Sequence, residues 1–150
     1  MVSDPCYTEP TWCQIKLKDV KPGYYNVYPK SHDCGDWGVR QSMLMVIHDQ
    51  HEFDELKWKE APGTVGVDSG QAGIFSYDTY RNDSIFSEPS KFGEDERFSE
   101  FNKDEGDKWY GHMCDRTLGN DHWGVYDQGV VSSSGIGDGV YPLYVVRDIS

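Results

Sequence analysis

The sequence predicts a mainly β, α+β protein: an antiparallel β-sheet or sandwich with one packed helix near residues 107–118. Three observations carry that expectation. Aromatic residues make up 14% of the 150 positions and 16 glycines supply turn positions, a combination suited to strands joined by tight connections. Short β-like runs recur along the chain, whereas a single segment near Trp109 shows helical spacing. A chain of this length buries roughly 70% of the surface its unfolded form exposes, so residues 1–150 are read as one β-rich domain.

Taken in order, Trp12 to Asp19 alternates cleanly, with Cys13, Ile15 and Leu17 on one side and Gln14, Lys16 and Lys18 on the other. That is the pattern of a half-buried strand. Pro22-Gly23 interrupts it and Tyr24 to Tyr28 resumes it, so these two strands are expected to pair as a hairpin. After the polar loop P-K-S-H-D-C-G-D, the run Trp37 to His48 is apolar on both faces from Met43 to Ile47 and reads as a central core strand. His51 to Glu60 is charged, with Phe53, Leu56 and Trp58 as its anchors. It is expected to form a wide hairpin end or a short surface helix closed by Pro62-Gly63.

Val65 to Phe75 divides at D-S-G, where Asp and Ser bond nearby backbone and Gly accepts positive φ; strand, corner and re-entry follow. Residues 88–108 hold eight acids against four bases with little periodicity, and read as a mobile acidic surface excursion. Trp109, Tyr110, Met113, Cys114, Thr117 and Leu118 paint one face of a helix, with Asp107 favouring its N-terminus and Gly119-Asn120 ending it. Three β-like pieces complete the chain: His122 to Tyr126, Gly129 to Ser133 and Val140 to Arg147.

Fourteen basic against 26 acidic residues leave a net charge of −12. No Lys/Arg cluster reverses that field, which excludes direct nucleic-acid binding and favours a solvated surface or a basic partner. Cys6, Cys13, Cys34 and Cys114 are irregularly spaced and the opening M-V-S-D-P-C is polar. Free thiols and a cytoplasmic location are therefore expected. No run approaches the roughly 18 apolar residues of a membrane span.

The stretch V-S-S-S-G-I-G-D-G-V-Y-P, residues 131–142, gathers the chain's densest set of small polar residues. A phosphate cradle needs a helix N-terminus after its glycines. Val140-Tyr141-Pro142 cannot open one, so a polar turn or bulge between the last strands is expected. A serine nucleophile needs G-x-S-x-G, which neither G-V-D-S-G nor S-S-S-G-I-G supplies. His32-Asp33-Cys34 and His112-Met113-Cys114 echo a metal pair, but the second lies on the helix, where residues two apart diverge, and no metal or other cofactor is assigned.

Four blocks carry a family likeness: G-D-W-G-V-R (35–40), V-G-V-D-S-G-Q-A-G-I-F (65–75), W-Y-G-H-M-C-D-R-T-L (109–118) and G-V-V-S-S-S-G-I-G-D-G-V-Y-P-L-Y-V-V-R-D (129–148). In this order they resemble a bacterial and phage family, the domain of unknown function numbered four-two-four-one. The resemblance covers about residues 24–148 and implies no established chemistry. Two departures stand out: the acidic excursion is longer than usual, and the chain stops at Ser150 where the family pattern continues into another strand, which implies an edge open to a partner.

Small polar residues dominate the likeness, so Asp68, Ser69, Gln71, Ser133, Ser134, Asp138 and Tyr141 are expected to converge where the two Gly-rich corners meet. A ligand pocket walled by Trp37, Tyr141 or Trp109 is expected there; the competing expectation is that these residues only brace two turns. The leading functional expectation is a small soluble binding protein, a phage or mobile-element accessory factor that engages a basic host protein or sequesters a small polar ligand. The rivals are a hydrolytic enzyme with Asp68 or Asp138 as base and His112 as acid, and an acidic nucleic-acid mimic.

Overall fold

The protein is described by a computed structural model covering residues 1–147; the last position of the family-like block, 148, lies outside the described residues. The fold is mainly β, all its strand pairs being antiparallel. A four-stranded sheet has the order β1-β5-β7-β6, formed by β1 (Val2–Ser3), β5 (Gln71–Phe75), β7 (Gly129–Ser133) and β6 (Trp123–Tyr126). Two two-stranded ribbons flank it: β2 (Tyr25–Asp33) with β3 (Val39–His48), and β4 (Lys59–Val67) with β8 (Gly139–Val145).

The predicted helix is α2, Asp107–Thr117, and it buries Trp109, Tyr110, Met113, Cys114 and Thr117 as their spacing requires; Leu118, expected on the same face, is 69% exposed because the helix ends before it and it serves as the C-cap. With Phe75 and Val131 of the sheet, Trp109, Tyr110, Met113 and Cys114 form the core. Trp109 is fully buried and stands edge-on to Phe75 and Tyr80, at ring-centroid separations of 5.1 and 5.0 Å. Truncating a side chain so placed costs about 3–5 kcal/mol.

Several expectations give way. Trp12 to Asp19 does not pair with the strand after it. Ile15 exchanges both backbone bonds with Val2, and Cys13 accepts from the amide of Gly66, so the backbone of this segment is already engaged by β1 and β4. The following strand pairs instead with the Met43–Ile47 run, and P-K-S-H-D, expected as loop, extends it to Asp33. That run is not a central strand: Ile47 is buried, but Met43 is 52% exposed. Pro29 in β2 and Pro142 in β8 carry the physical reason, because a residue without an N–H belongs on an edge strand. His51 to Glu60 contains one short 3-10 turn, Phe53–Glu55, and then enters β4. Pro62-Gly63 lies within β4, at its register shift between Glu60 and Thr64.

Residues 88–108 are anchored to α2. Ser90 is 1% exposed and its hydroxyl accepts from the amide of Gly93, capping the single turn α1 (Lys91–Glu94). From α2, the Asp115 carboxylate accepts from the amides of Lys91 and Phe92 at 3.0 and 2.8 Å. Phe92 stacks on Phe98 at 4.3 Å, and Phe101 lies 5.9 Å from Tyr110. No helix among the described residues is long and apolar enough to cross a membrane.

Candidate functional site

The two polar corners meet because the topology compels it. The chain crosses from the β4–β8 ribbon to the four-stranded sheet at residues 68–70 and returns at residues 134–138. Val67 pairs with Gly139 at the end of one sheet, and Gln71 pairs with Ser133 at the start of the other. Both connectors therefore span the same gap. The Gly70 amide donates to the Asp138 carboxylate at 3.0 Å and the Ser134 amide to the Gly70 carbonyl at 2.8 Å.

The side chains at this junction serve mostly the backbone. The Tyr141 hydroxyl donates to the carbonyls of Ser134 and Gly137 at 2.9 and 2.6 Å, and the Ser134 hydroxyl donates to Gly137 at 2.7 Å. Such bonds hold a glycine-rich turn in one conformation. Asp68 is exposed and Ser133 is half-buried at the end of β7.

Gln71 belongs elsewhere. It is buried beneath α2, where its amide nitrogen faces the Tyr110 hydroxyl and the Cys114 sulfur, while its carbonyl accepts from the Thr117 hydroxyl at 2.9 Å. Burial pushes the Tyr110 hydroxyl and the Cys114 thiol above their ordinary pKa ranges, so both stay protonated at neutral pH while accepting from the Gln71 amide.

Neither tryptophan walls a pocket here. Trp109 is sealed in the core, and Trp37 sits at the turn of the β2–β3 ribbon, 70% exposed. The ribbon does reach the corner, since Arg40 donates to the carbonyls of Trp37 and Gly135 at 2.9 and 3.2 Å. His112 is committed to another neighbourhood. It stacks on Phe86 at 3.9 Å, and its Nε2 donates to the Glu88 carbonyl at 2.7 Å. On a helix it points roughly 200° away from Tyr110, the residue that faces Gln71. Among the described residues no group of three or more His, Cys, Asp or Glu side chains is arranged to hold a metal ion.

The residue that organises the first corner is Asp4, a position the sequence reading passed over. It is fully buried, and its carboxylate accepts from the amides of Cys6, Asp68 and Ser69 and from the Ser69 hydroxyl at 2.8, 2.8, 2.7 and 2.6 Å. Four donors converging on one carboxylate satisfy a charge that would otherwise be costly to bury. The local signal was Asp4-Pro5-Cys6, a turn in which Asp bonds the amide two residues on. Burial and the adjacent Asp4 charge push the Cys6 thiol up to about 12, leaving it a poor nucleophile at neutral pH.

What this junction does chemically is to fix two bends and, through Arg40, the ribbon beside them. Comparison with protein-family models, with curated proteins and with solved structures finds no match for the chain.

Proposed function

We propose that the protein is a binding protein that engages a basic partner protein along the β2–β3 ribbon. The observation that supports this reading is the apolar surface the ribbon presents to solvent. Strand alternation and register put Tyr28 and Met43 on one face, at 45% and 52% exposure; Val39, past the register shift, opens on the other face at 61%, with Trp37 at the turn beyond at 70%. Large apolar and aromatic side chains grouped on an exposed surface are the usual material of an interface core.

Electrostatics supply the partner's sign. The ribbon region 24–48 holds two acids and two bases, whereas residues 49–60 just after it hold five acids against two bases, and the whole chain carries −12. A neutral apolar contact flanked by negative charge suits a partner with an apolar centre and a basic rim. A cytoplasmic location, expected from the irregularly spaced cysteines, and the phage or mobile-element origin that the family resemblance implies accord with an accessory factor acting on a host protein.

The test compares capture by the wild-type chain, a Trp37→Ser/Met43→Ser variant and an Asp68→Asn/Asp138→Asn variant, at low and high salt. The ribbon variant is expected to lose capture while remaining folded by circular dichroism. The corner variant is expected to keep it, and capture is expected to weaken as salt rises. Capture that survives the ribbon substitutions overturns the reading. Turnover abolished by the corner substitutions would favour the hydrolytic alternative, and a doubled native mass would identify a second copy as the occupant. Nucleic-acid mimicry needs an outward carboxylate array. Asp95 and Asp107 fit that poorly, being turned onto Arg97 and onto the amides of Lys103 and Asp104.

A further inference from the structure

A cleft of about 390 Å³ opens beside the C-terminal end of α2, lined by Ile85, Phe86, Arg116, Tyr126, Asp127 and Gln128. Its one cation is held in a fixed pose. Arg116 Nε donates to the Val125 carbonyl at 3.0 Å and Nη1 to the His112 carbonyl at 2.7 Å. The guanidinium carbon lies 5.5 Å from the Phe86 ring centre and 5.6 Å from that of Tyr126. A guanidinium has five N–H donors, so three remain, one on Nη1 and both on Nη2, and these can donate to a carboxylate.

Two further features mark this as a prepared seat. A Cβ on Gly124 would fall 2.7 Å from Arg116 Cγ, so the missing side chain on β6 is what admits the arginine's stem. Phe86 is itself held by its parallel stack on His112, with an interplanar angle of 7°. Yet no carboxylate lies within 4 Å of Arg116 among the described residues. A half-buried charge bonded to two backbone carbonyls, with Asp115 acting on it only through its field, gains when an anion pairs with it directly. Its pKa is drawn below the ordinary arginine value by that same burial.

We propose that this cleft is a binding site for a planar aromatic monocarboxylate, whose carboxylate accepts from the free N–H groups of Arg116 while its ring lies against Phe86 and Tyr126. Asp127 on the rim selects against dianions, so inorganic phosphate is a poor ligand. The proposal is independent of the ribbon interface, which uses none of these residues.

The test is a titration of the full chain, followed by amide chemical shifts, with benzoate, its neutral isostere benzamide, and inorganic phosphate. Benzoate is expected to saturate with shifts at Phe86, Gly124 and Tyr126, at least about tenfold tighter than either of the others. Arg116→Lys keeps the charge but removes the fork, and is expected to weaken benzoate about tenfold. Phe86→Leu is expected to weaken it about threefold. Circular dichroism of both variants verifies the fold. Equal binding of benzamide or phosphate, shifts confined to other surfaces, or no saturation below about 50 mM, weaker than any specific charge-assisted pair, would each overturn the assignment.

Discussion

The β2–β3 ribbon and the 88–108 segment reverse what their compositions suggest. The ribbon carries the chain's most continuous apolar run, M-L-M-V-I, yet much of its surface faces solvent. The 88–108 segment carries eight acids and four bases, yet Ser90 and Gly93 within it are buried against α2. The difference lies in what each finds to pack against. A strand paired on one side by a single neighbour has no second layer to cover it. A charged segment that places two small residues and two phenylalanines, Phe92 and Phe101, opposite a helix is held by those few contacts. Burial follows the neighbour a residue meets as much as its own hydrophobicity.

The contrast is most easily broken at Gly111, where a Cβ would lie 2.1 Å from the Ser90 hydroxyl. Gly111→Val is expected to cost about 2–3 kcal/mol in urea unfolding. Hydrogen exchange is expected to rise across residues 88–108 with the ribbon unchanged. If protection falls equally in both regions, the segment is not separately docked.

Next comes Asp83, whose carboxylate accepts from the amides of Gly106 and Trp109 at 2.9 and 2.8 Å and so caps α2 from outside. Asp83→Ala is expected to cost about 1–2 kcal/mol by the same measurement; a neutral result would remove that cap from the account.

Thiol chemistry sharpens the comparison without mutation. Cys34, exposed beside the ribbon turn, is expected to react with iodoacetamide at pH 8 well before Cys6, whose thiol is pushed up to about 12. Peptide mass mapping reads the order of labelling, and labelling of both at one rate would contradict the Asp4 clamp.

A smaller effect belongs to Asp95, held at about 2 by hydrogen bonds from Arg97. Because this is below the ordinary 3.8, its contribution is complete above about pH 4 and is lost as pH falls toward 2. Arg97→Gln is expected to return the carboxyl toward 3.8 in an NMR titration, and an unmoved midpoint would count against the pair. Smallest of all, Trp37→Ser and Met43→Ser are expected to change stability by no more than about 0.5 kcal/mol. A larger loss would mean that the ribbon face is packed rather than available.

Sequence pattern was a sound guide wherever periodicity and burial coincide. The face of α2, the split of residues 65–75 around D-S-G and β7 from Gly129 to Ser133 all follow from spacing. The meeting of the two corners also follows, although its cause is sheet crossing rather than family likeness. Pairing partners were harder, because alternation says which residues share a face and nothing about which strand lies alongside. Pro29 and Pro142 held that missing information, since both are tolerable only at an edge. The pocket expected at the corners dissolved into hydrogen bonds of the kind made by Tyr141 and Ser134. Asp4 escaped notice because a single buried carboxylate has no periodic signature.

The double crossing between sheets also sets the order in which the chain can be assembled. β4 emerges from the ribosome long before β8, its strand partner among the described residues, and α2, β6 and β7 must all be made before that partner exists. Until then, apart from the Gly66 amide that bonds Cys13, the amides and carbonyls of the edge that β8 will cover offer a template to any passing strand. The nascent protein is therefore most prone to association in the interval between these two strands, and closing the ribbon is a late, non-local event of the kind that slows folding.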